Sequence, residues 1–297
     1  LAPPGFGERS RSWRHLYDPS TGFFRARRNG GFVPGFDPYE VNFNFTEANA
    51  WHYSLFVPQH IEALTELHGG QPGLEAFLDR LFAATSATSG REQADITGLI
   101  GQYAHGNEPS HHVAYLYGWT AAPWKGHALV RRIARSFYGS GPDGITGNDD
   151  CGQMSAWYVL SALGFYPVTP GSPYYMIGSP VFPLATINLE NEKSFIINAP
   201  GAGGKNIYIQ QALLSTAAKM KPTQWDSAYL KHGDIANGGL ITFMMGDKPG
   251  KLLPVEAKQL TGPYAGSLKI VMNPVINGGA IPFKGNRKIT ITSAEKN

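Results

Sequence analysis

The hydrophobic pattern of the chain changes once, near residue 178. Before that point, apolar residues recur at the three- and four-residue spacing of amphipathic helices, with loops between them. After it, short alternating or β-branched runs are divided by Gly, Pro and Asn, which is the pattern of strands. The pattern therefore predicts an α+β chain that is mainly helical over residues 1–177 and β-rich over residues 178–297.

The predicted elements follow from these periodicities. Residues 1–46 are loop-rich, with a short helix at 10–16 and a candidate strand pair at 23–27 and 30–32. Helical segments are predicted at 47–57, 61–67, 74–84, 96–100, 111–117, 124–138 and from Asp150 to Gly164. Strands are predicted at 188–198, 206–211, 240–245, 268–272 and 288–292.

The last helix is apolar nearly all round, which predicts that it is buried. Gly164 supplies a C-terminal stop, and Pro167 prevents a return to helix. Two adjacent carboxylates, Asp149 and Asp150, precede this helix in a Gly-flanked turn, where the partial positive charge of a helix N-terminus favours them. The plainer alternative is that both only cap the helix.

The composition excludes several classes of protein to which the chain could belong. Of the 297 residues, 42% are hydrophobic and 16% charged, which predicts a folded chain with a sizeable core. Aromatic residues reach 12%, and such rings line sugar sites as readily as they fill cores. A net charge of +3 without a basic stripe argues against nucleic acid, and no apolar run is long enough for a membrane span. The single cysteine, Cys151, excludes an intrachain disulfide and is expected to be a small buried thiol.

Two further polar clusters lie upstream, each on a connection into a predicted helix. In the first, Glu47 stands at a helix entrance with Trp51 one turn later on the same face. The alternative is that Thr46 caps this helix and Glu47 only complements its dipole.

The second cluster contains Asn107, Glu108, His111 and His112. Pro109 forces Glu108 into an extended conformation, so a loop presents the oxygens of Asn107 and Glu108, as hard cations require. Adjacent histidines cannot point the same way along a helix, and cysteine ligands are missing, so zinc ranks below an oxygen-ligated calcium. An Asx-Pro turn with incidental histidines is the alternative.

Together the clusters offer an all-oxygen ligand set and the paired carboxylates that most glycosidases use. Glu47 with Asp149 or Asp150 would form that pair. A phosphate-binding loop, a GxSxG elbow and a dinucleotide fingerprint are all absent from the sequence.

At this level of detail the chain resembles the family 92 glycoside hydrolases, which are calcium-dependent exo-acting α-mannosidases. The resemblance rests on residues 47–53 (EANAWHY), 106–111 (GNEPSH), 147–158 (GNDDCGQMSAWY), 161–167 (SALGFYP) and 178–180 (GSP). It runs in the family's order from about residue 13 to residue 250.

The resemblance implies a fold of which this chain is one portion. The family has an N-terminal β-sandwich, an (α/α)6 barrel and C-terminal strands. Residues 1–177 would be the later part of the catalytic barrel and residues 178–297 the C-terminal β region, with antiparallel strands. The sandwich and the first barrel helices would be missing, so we expect an upstream segment or a second chain to cover the open helix faces.

The resemblance also implies a reaction, the Ca²⁺-dependent hydrolysis of terminal α-linked mannose from glycans, at α-1,2 or related linkages, with inversion. Glu47 resembles the general acid and Asp150 the general base, with Asp149 as its helper or a metal ligand; which aspartate is the base stays open. Asn107, Glu108 and Asp150 would hold Ca²⁺. Trp51, His52, Glu108, His111 and His112 would bind the mannose. A calcium-dependent glycan hydrolase implies a periplasmic or extracellular location.

Two positions depart from the family pattern: Ala48 stands where Gly is usual, and His60 stands where an acidic residue is expected. Three rival interpretations remain: a non-catalytic mannose-binding relative, another (α/α)-barrel glycosidase such as a glucosidase, and an inactive fragment with a structural role. Replacement of Glu47 or Asp150 would favour the first of these, and both residues are present.

Overall fold

The computed structural model describes residues 5–250 and 289–292, and within them the chain is α+β. Its α-helices are α1 (Phe6–Arg9), α2 (Ala50–Tyr53), α3 (Ile61–Leu67), α4 (Gln71–Ala83), α5 (Pro123–Ser136), α6 (Gln153–Leu163) and α7 (His232–Ala236). Single 3-10 turns and helices cover Ser12–Leu16, Pro58–His60, Glu108–Ser110 and Val113–Trp119.

The strands before α6 are two-residue ribbons between the loops of the helical part. They are β1 (Tyr17–Asp18), β2 (Phe23–Phe24), β3 (Arg27–Arg28), β4 (Gly31–Phe32), β5 (Glu40–Val41), β6 (Ser89–Gly90), β7 (Leu99–Ile100) and β8 (Tyr103–Ala104). They pair as β1 with β2, β3 with β4, β5 with β6 and β7 with β8.

The strands after α6 form two larger sheets. They are β9 (Phe165–Tyr166), β10 (Tyr174–Ile177), β11 (Leu184–Asn188), β12 (Ser194–Asn198), β13 (Tyr208–Thr216), β14 (Lys219–Gln224), β15 (Tyr229–Lys231), β16 (Gly239–Gly246) and β17 (Ile289–Thr292). One sheet has the order β15-β10-β9 and the other β14-β13-β16-β12-β11-β17. In the six-stranded sheet β12 and β16 run parallel, whereas the other neighbours are antiparallel.

Buried side chains form two hydrophobic clusters. The first fills the helical part around Trp51, Trp119 and Trp157, and the second lies on the six-stranded sheet around Phe195 and Phe243. Because β10 pairs with both β9 and β15, strands on either side of residue 178 share one sheet. The placement of the helices in an (α/α)6 barrel and the division at residue 178 stay predictions.

Helix α6 confirms the helix predicted after Asp150. Its side chains Met154 and Trp157 are fully buried, but Val159 is 36% exposed, so one face of α6 reaches the surface and the prediction of a buried helix is confirmed only in part. Gly164 ends it in a left-handed conformation with φ of 100°, and its N–H donates to the carbonyls of Leu160 and Ser161. The predictions for 61–67, 74–84 and 124–138 are likewise confirmed as α3, α4 and α5, with shifts of up to three residues at their ends.

Three helix predictions differ from the structure. Segment 47–57 contains only the single turn of α2, because Ala48 takes a left-handed φ of 53° and the helix begins after it. Segment 96–100 is not helical: Gly98 and Gly101 have positive φ, and Leu99–Ile100 is β7. Segment 111–117 is replaced by a 3-10 helix at Val113–Trp119.

The strand predictions fared better. The predicted strand 188–198 contains only the last residue of β11, the turn and β12, because Glu192 turns the chain with a left-handed φ of 63° between the two strands. Strand 288–292 is confirmed as β17, and the predicted strand 268–272 lies outside the described residues. In the part of the chain that the structure describes, every helix is too short or too polar to cross a bilayer.

Candidate active site

The turn before α6 has an unusual backbone. Asp150, Cys151 and Gly152 take left-handed φ angles of 46°, 58° and 87° in succession. For an L-residue this conformation costs roughly 1–2 kcal/mol, so the two non-glycine residues are strained. The turn also exposes Cys151, which corrects the prediction of a buried thiol: the residue lies in the loop rather than on the buried face of α6.

The two adjacent aspartates have different surroundings. One oxygen of Asp149 accepts from the Ser155 backbone N–H at 2.8 Å and the other from the Ser155 hydroxyl at 3.1 Å. Asp149 therefore satisfies one free backbone N–H in the first turn of α6, a capping contact made from outside the N-cap residue Gly152. The Asp150 carboxyl instead lies near the Glu108 carboxyl and helps to raise its pKa.

Glu108 is the centre of a carboxylate cluster. It is half-buried, and its Oε1 is buried without a hydrogen-bond partner. Burial raises the pKa of the Glu108 carboxyl, and the nearby carboxyls of Asp150 and Glu47 raise it further. The charges of Asp150 and Glu47 therefore act on Glu108 from two other segments of the chain.

Glu47 lies in the loop that enters α2. Ala48 N–H donates to Gln93 Oε1 at 2.9 Å, and the Asn49 side chain caps α2 by accepting from the His52 N–H at 3.3 Å. Asn49, rather than Thr46, is therefore the capping residue. Burial raises the pKa of Tyr53, and the negative charge of Glu47 adds to the effect. Glu47 itself is half-buried.

The predicted histidines lie directly behind this cluster, with their ring nitrogens in use. His111 donates through Nε2 to the His105 carbonyl at 3.0 Å and accepts at Nδ1 from Gln153 at 3.1 Å. His112 donates through Nε2 to the Leu55 carbonyl at 2.9 Å. Burial lowers the pKa of both imidazoles to about 4, so they are neutral at physiological pH.

His52 and Trp51 are buried in the same way. Ser110 Oγ lies 3.1 Å from His52 Nδ1, and burial lowers the His52 pKa to about 3. The Trp51 indole packs edge-on against Phe23, with centroids 4.7 Å apart, and only 5% of the residue is exposed. Both side chains support the Glu47 loop from the core side.

A hydrogen-bonded chain that the sequence did not reveal connects the Glu108 loop to α6. Tyr138 donates to the Met154 carbonyl at 2.9 Å, so its oxygen accepts from His105 Nε2 at 2.7 Å. His105 Nδ1 then accepts from Tyr103 at 2.7 Å. Trp157 Nε1 donates to the His111 carbonyl at 2.9 Å. These contacts join the loop that carries Glu108 to α6, which follows the Asp150 turn.

Two of the predicted calcium ligands, Asn107 and Glu108, have buried polar atoms without a hydrogen-bond partner. Asn107 is buried, and its side-chain Nδ2 has no partner, as is true of Glu108 Oε1. An amide that turns over presents its oxygen in the same place. Among residues 5–250 no three His, Cys, Asp or Glu side chains form a metal-binding group by themselves. An amide and two carboxylates fit a Ca²⁺ ion that takes its remaining ligands from water or substrate oxygens.

A pair of carboxylates that act as acid and base is typical of glycoside hydrolases, and Glu47 and Asp150, both near Glu108, offer such a pair. Comparison with known proteins identifies the family. Residues 4–247 match the model of the glycosyl hydrolase family 92 catalytic domain, so the chain belongs to this family.

Solved structures of this family are similar to the chain. A family GH92 α-mannosidase from Bacteroides thetaiotaomicron is 37% identical over 82% of this chain, with a TM-score of 0.72. Its complex with mannoimidazole aligns with a TM-score of 0.75 at 36% identity, again over 82% of this chain. A family GH92 inverting mannosidase from the same species is 33% identical over 84% of the chain, with a TM-score of 0.71.

The chain is much shorter than these relatives. It spans 31%, 32% and 34% of the three solved chains. A curated relative from Arthroderma benhamiae, described as an uncharacterized secreted glycosidase, is 24% identical over 80% of this chain, which spans 32% of that protein.

Proposed function

We propose that this chain carries the acid and base of an inverting, Ca²⁺-dependent exo-α-mannosidase that removes terminal mannose from glycans, at α-1,2 or related linkages. The observation that carries the proposal is the convergence of Glu47, Glu108 and Asp150. Family membership and the mannosidase neighbours support the substrate, and the inverting mannosidase among them supports the stereochemistry.

Glu47 is the proposed general acid and Asp150 the proposed general base. Inversion needs two carboxyls about 6.5–9.5 Å apart, so that a water molecule fits between the base and the sugar. The acid and base come from different segments of the chain, so the separation that inversion needs depends on how the fold places the Glu47 loop relative to the Asp150 turn. Asp149 assists by capping α6 and so holding the turn that presents Asp150.

Glu108 has a third role in this proposal. With Asn107, and with Asp150 from the turn, it would hold Ca²⁺ at the oxygen that has no partner within the protein. When bound, Ca²⁺ would orient sugar hydroxyls and favour a distorted ring. The negative charges that raise the Glu108 pKa also favour a divalent cation there.

His52, His111, His112 and Trp51 are proposed to shape the mannose pocket from behind. All four are buried, and His111 and His112 are hydrogen-bonded through their ring nitrogens, which suits them to hold the loops that carry the carboxylates. A further part of the fold, supplied by a longer chain or a second one, is proposed to complete the pocket. The name of the curated relative supports a periplasmic or extracellular location.

The test is hydrolysis of an α-mannobiose panel by the full chain, with and without EDTA, while NMR follows the released anomer. We expect EDTA-sensitive release of β-mannose. Glu47→Gln and Asp150→Asn should each lower kcat by roughly 10²–10⁴-fold. Glu66→Gln, an exposed carboxylate on α3, is the matched control and should keep full activity. Release of α-mannose, or full activity in either variant, would contradict the proposal.

A further inference from the structure

A groove lined by aromatic rings lies next to Glu47. Its walls include Trp13, Phe24, Arg25, Phe45, Tyr53 and Phe56, and it encloses about 240 Å³; we call it the aromatic groove. Since about 10–15 Å³ of such space already admits one water molecule, the groove has room for a sugar ring.

The rings of the aromatic groove form a connected series. Phe45 stacks on Tyr53 with centroids 6.0 Å apart at 24°, and Tyr53 meets Phe56 edge-on at 6.1 Å. Phe56 in turn meets His112, behind the Glu108 loop, at 5.8 Å. Phe56 is 44% exposed, so its face is open to a ligand.

Polar groups accompany the rings. Arg25 is held by an ion pair to Asp18 at 2.6 Å and by a bond to the Val33 carbonyl at 2.6 Å. Its Nε is buried without a partner. Asn44 and Thr46 also line the groove. Aromatic faces with a few polar groups are the usual composition of a small-molecule site, and the ring faces suit the apolar C–H faces of sugars.

The position of the groove connects it to the chemistry. Thr46 lines the groove and directly precedes Glu47. Tyr53, which also lines it, lies close enough to Glu47 for that carboxylate to raise the Tyr53 pKa. A general acid protonates the leaving oxygen, so the leaving group must lie on the side of the acid. We propose that the aromatic groove binds the leaving-group saccharide of the substrate, stacked on Phe56 and Tyr53. This inference rests on the proposed function.

The test compares two substrates that share the mannose but differ in the leaving group. An α-mannobiose would place a sugar in the groove, whereas α-mannosyl fluoride leaves it empty. For Phe56→Ala in the full chain, we expect the ratio of kcat/KM for the disaccharide to that for the fluoride to fall by roughly two- to tenfold. Phe43→Ala is the matched control, because Phe43 is 90% exposed and outside the groove lining. Its ratio should not change.

Equal losses on both substrates would overturn the groove proposal, because they would indicate that Phe56 supports the fold or covers a protein surface. If the wild-type chain hydrolyses neither substrate, the proposed function fails, and calorimetric titration with α-mannotriose and with mannose then tests the groove. Tighter binding of the trisaccharide that is weakened by Phe56→Ala would support it. Equal affinities of the wild-type and Phe56→Ala chains for the trisaccharide would overturn the groove proposal.

Discussion

Five histidines lie buried in the helical part, and they predict steep acid unfolding. They are His52, His105, His111, His112 and His127, each at most 5% exposed. Burial lowers the pKa of His105 to about 2, of His52 to about 3 and of the other three to about 4. An unfolded chain restores each pKa to about 6.5.

The direction and size of the pH effect on the free energy of unfolding follow from proton linkage. Below pH 6.5 the unfolded state binds protons that the folded state does not, so stability is complete above that pH and falls as the pH falls. At pH 5.5 a shift from about 6.5 to about 4 or lower costs about 1.4 kcal/mol per histidine. The five together cost about 7 kcal/mol, comparable with the whole stability of a typical domain.

The assay is urea unfolding of the full chain at pH 8, 7, 6.5, 6 and 5.5, followed by tryptophan fluorescence. We expect the free energy of unfolding to be flat from pH 8 to 7 and then to fall with a slope that approaches five protons. His127→Gln should flatten this slope by about one proton, whereas the matched variant of exposed His15 should not alter it. A slope below two protons in the wild-type chain would refute the reasoning.

Four further changes give separate tests. Ala48→Gly should raise the free energy of unfolding by about 0.5–1 kcal/mol in urea, because it relieves a left-handed φ; a loss would contradict the strain argument. Tyr138→Phe should cost about 1–3 kcal/mol in the same assay, since the imidazole and the α6 carbonyl that it bridges lose their partner. Asp149→Ala should cost about 1 kcal/mol, and an unchanged stability would exclude its capping role. Calcium at about a hundredfold its Kd should stabilise the chain by about 2.7 kcal/mol in thermal unfolding, and Glu108→Gln should abolish that gain.

Local signals predicted the elements that depend on local physics. Helix α6 and its end at Gly164 follow from an apolar run and a glycine that takes a left-handed φ. The helix predicted at 47–57 is wrong although its apolar residues have helical spacing. Ala48 takes a left-handed φ that alanine rarely adopts, and this interrupts the helix.

Local sequence patterns could not predict the contacts between segments that are distant along the chain. His112 is hydrogen-bonded to the Leu55 carbonyl, and His52 to Ser110. The spacing of these residues in the sequence predicts neither pair. The sequence also did not predict the different surroundings of Asp149 and Asp150. In the left-handed turn the Asp149 carboxyl contacts Ser155, whereas the Asp150 carboxyl lies near Glu108. The proposed acid and base come from the family resemblance rather than from the spacing.

The exposed thiol in the turn before α6 gives a direct experimental handle. Cys151 is the one cysteine in the sequence, and it lies between Asp150 and Gly152 on the surface. A maleimide fluorophore or a nitroxide would therefore attach at a single position beside the proposed base. Its emission or its electron-spin spectrum would follow sugar arrival and the motion of the turn in real time, without any prior mutagenesis.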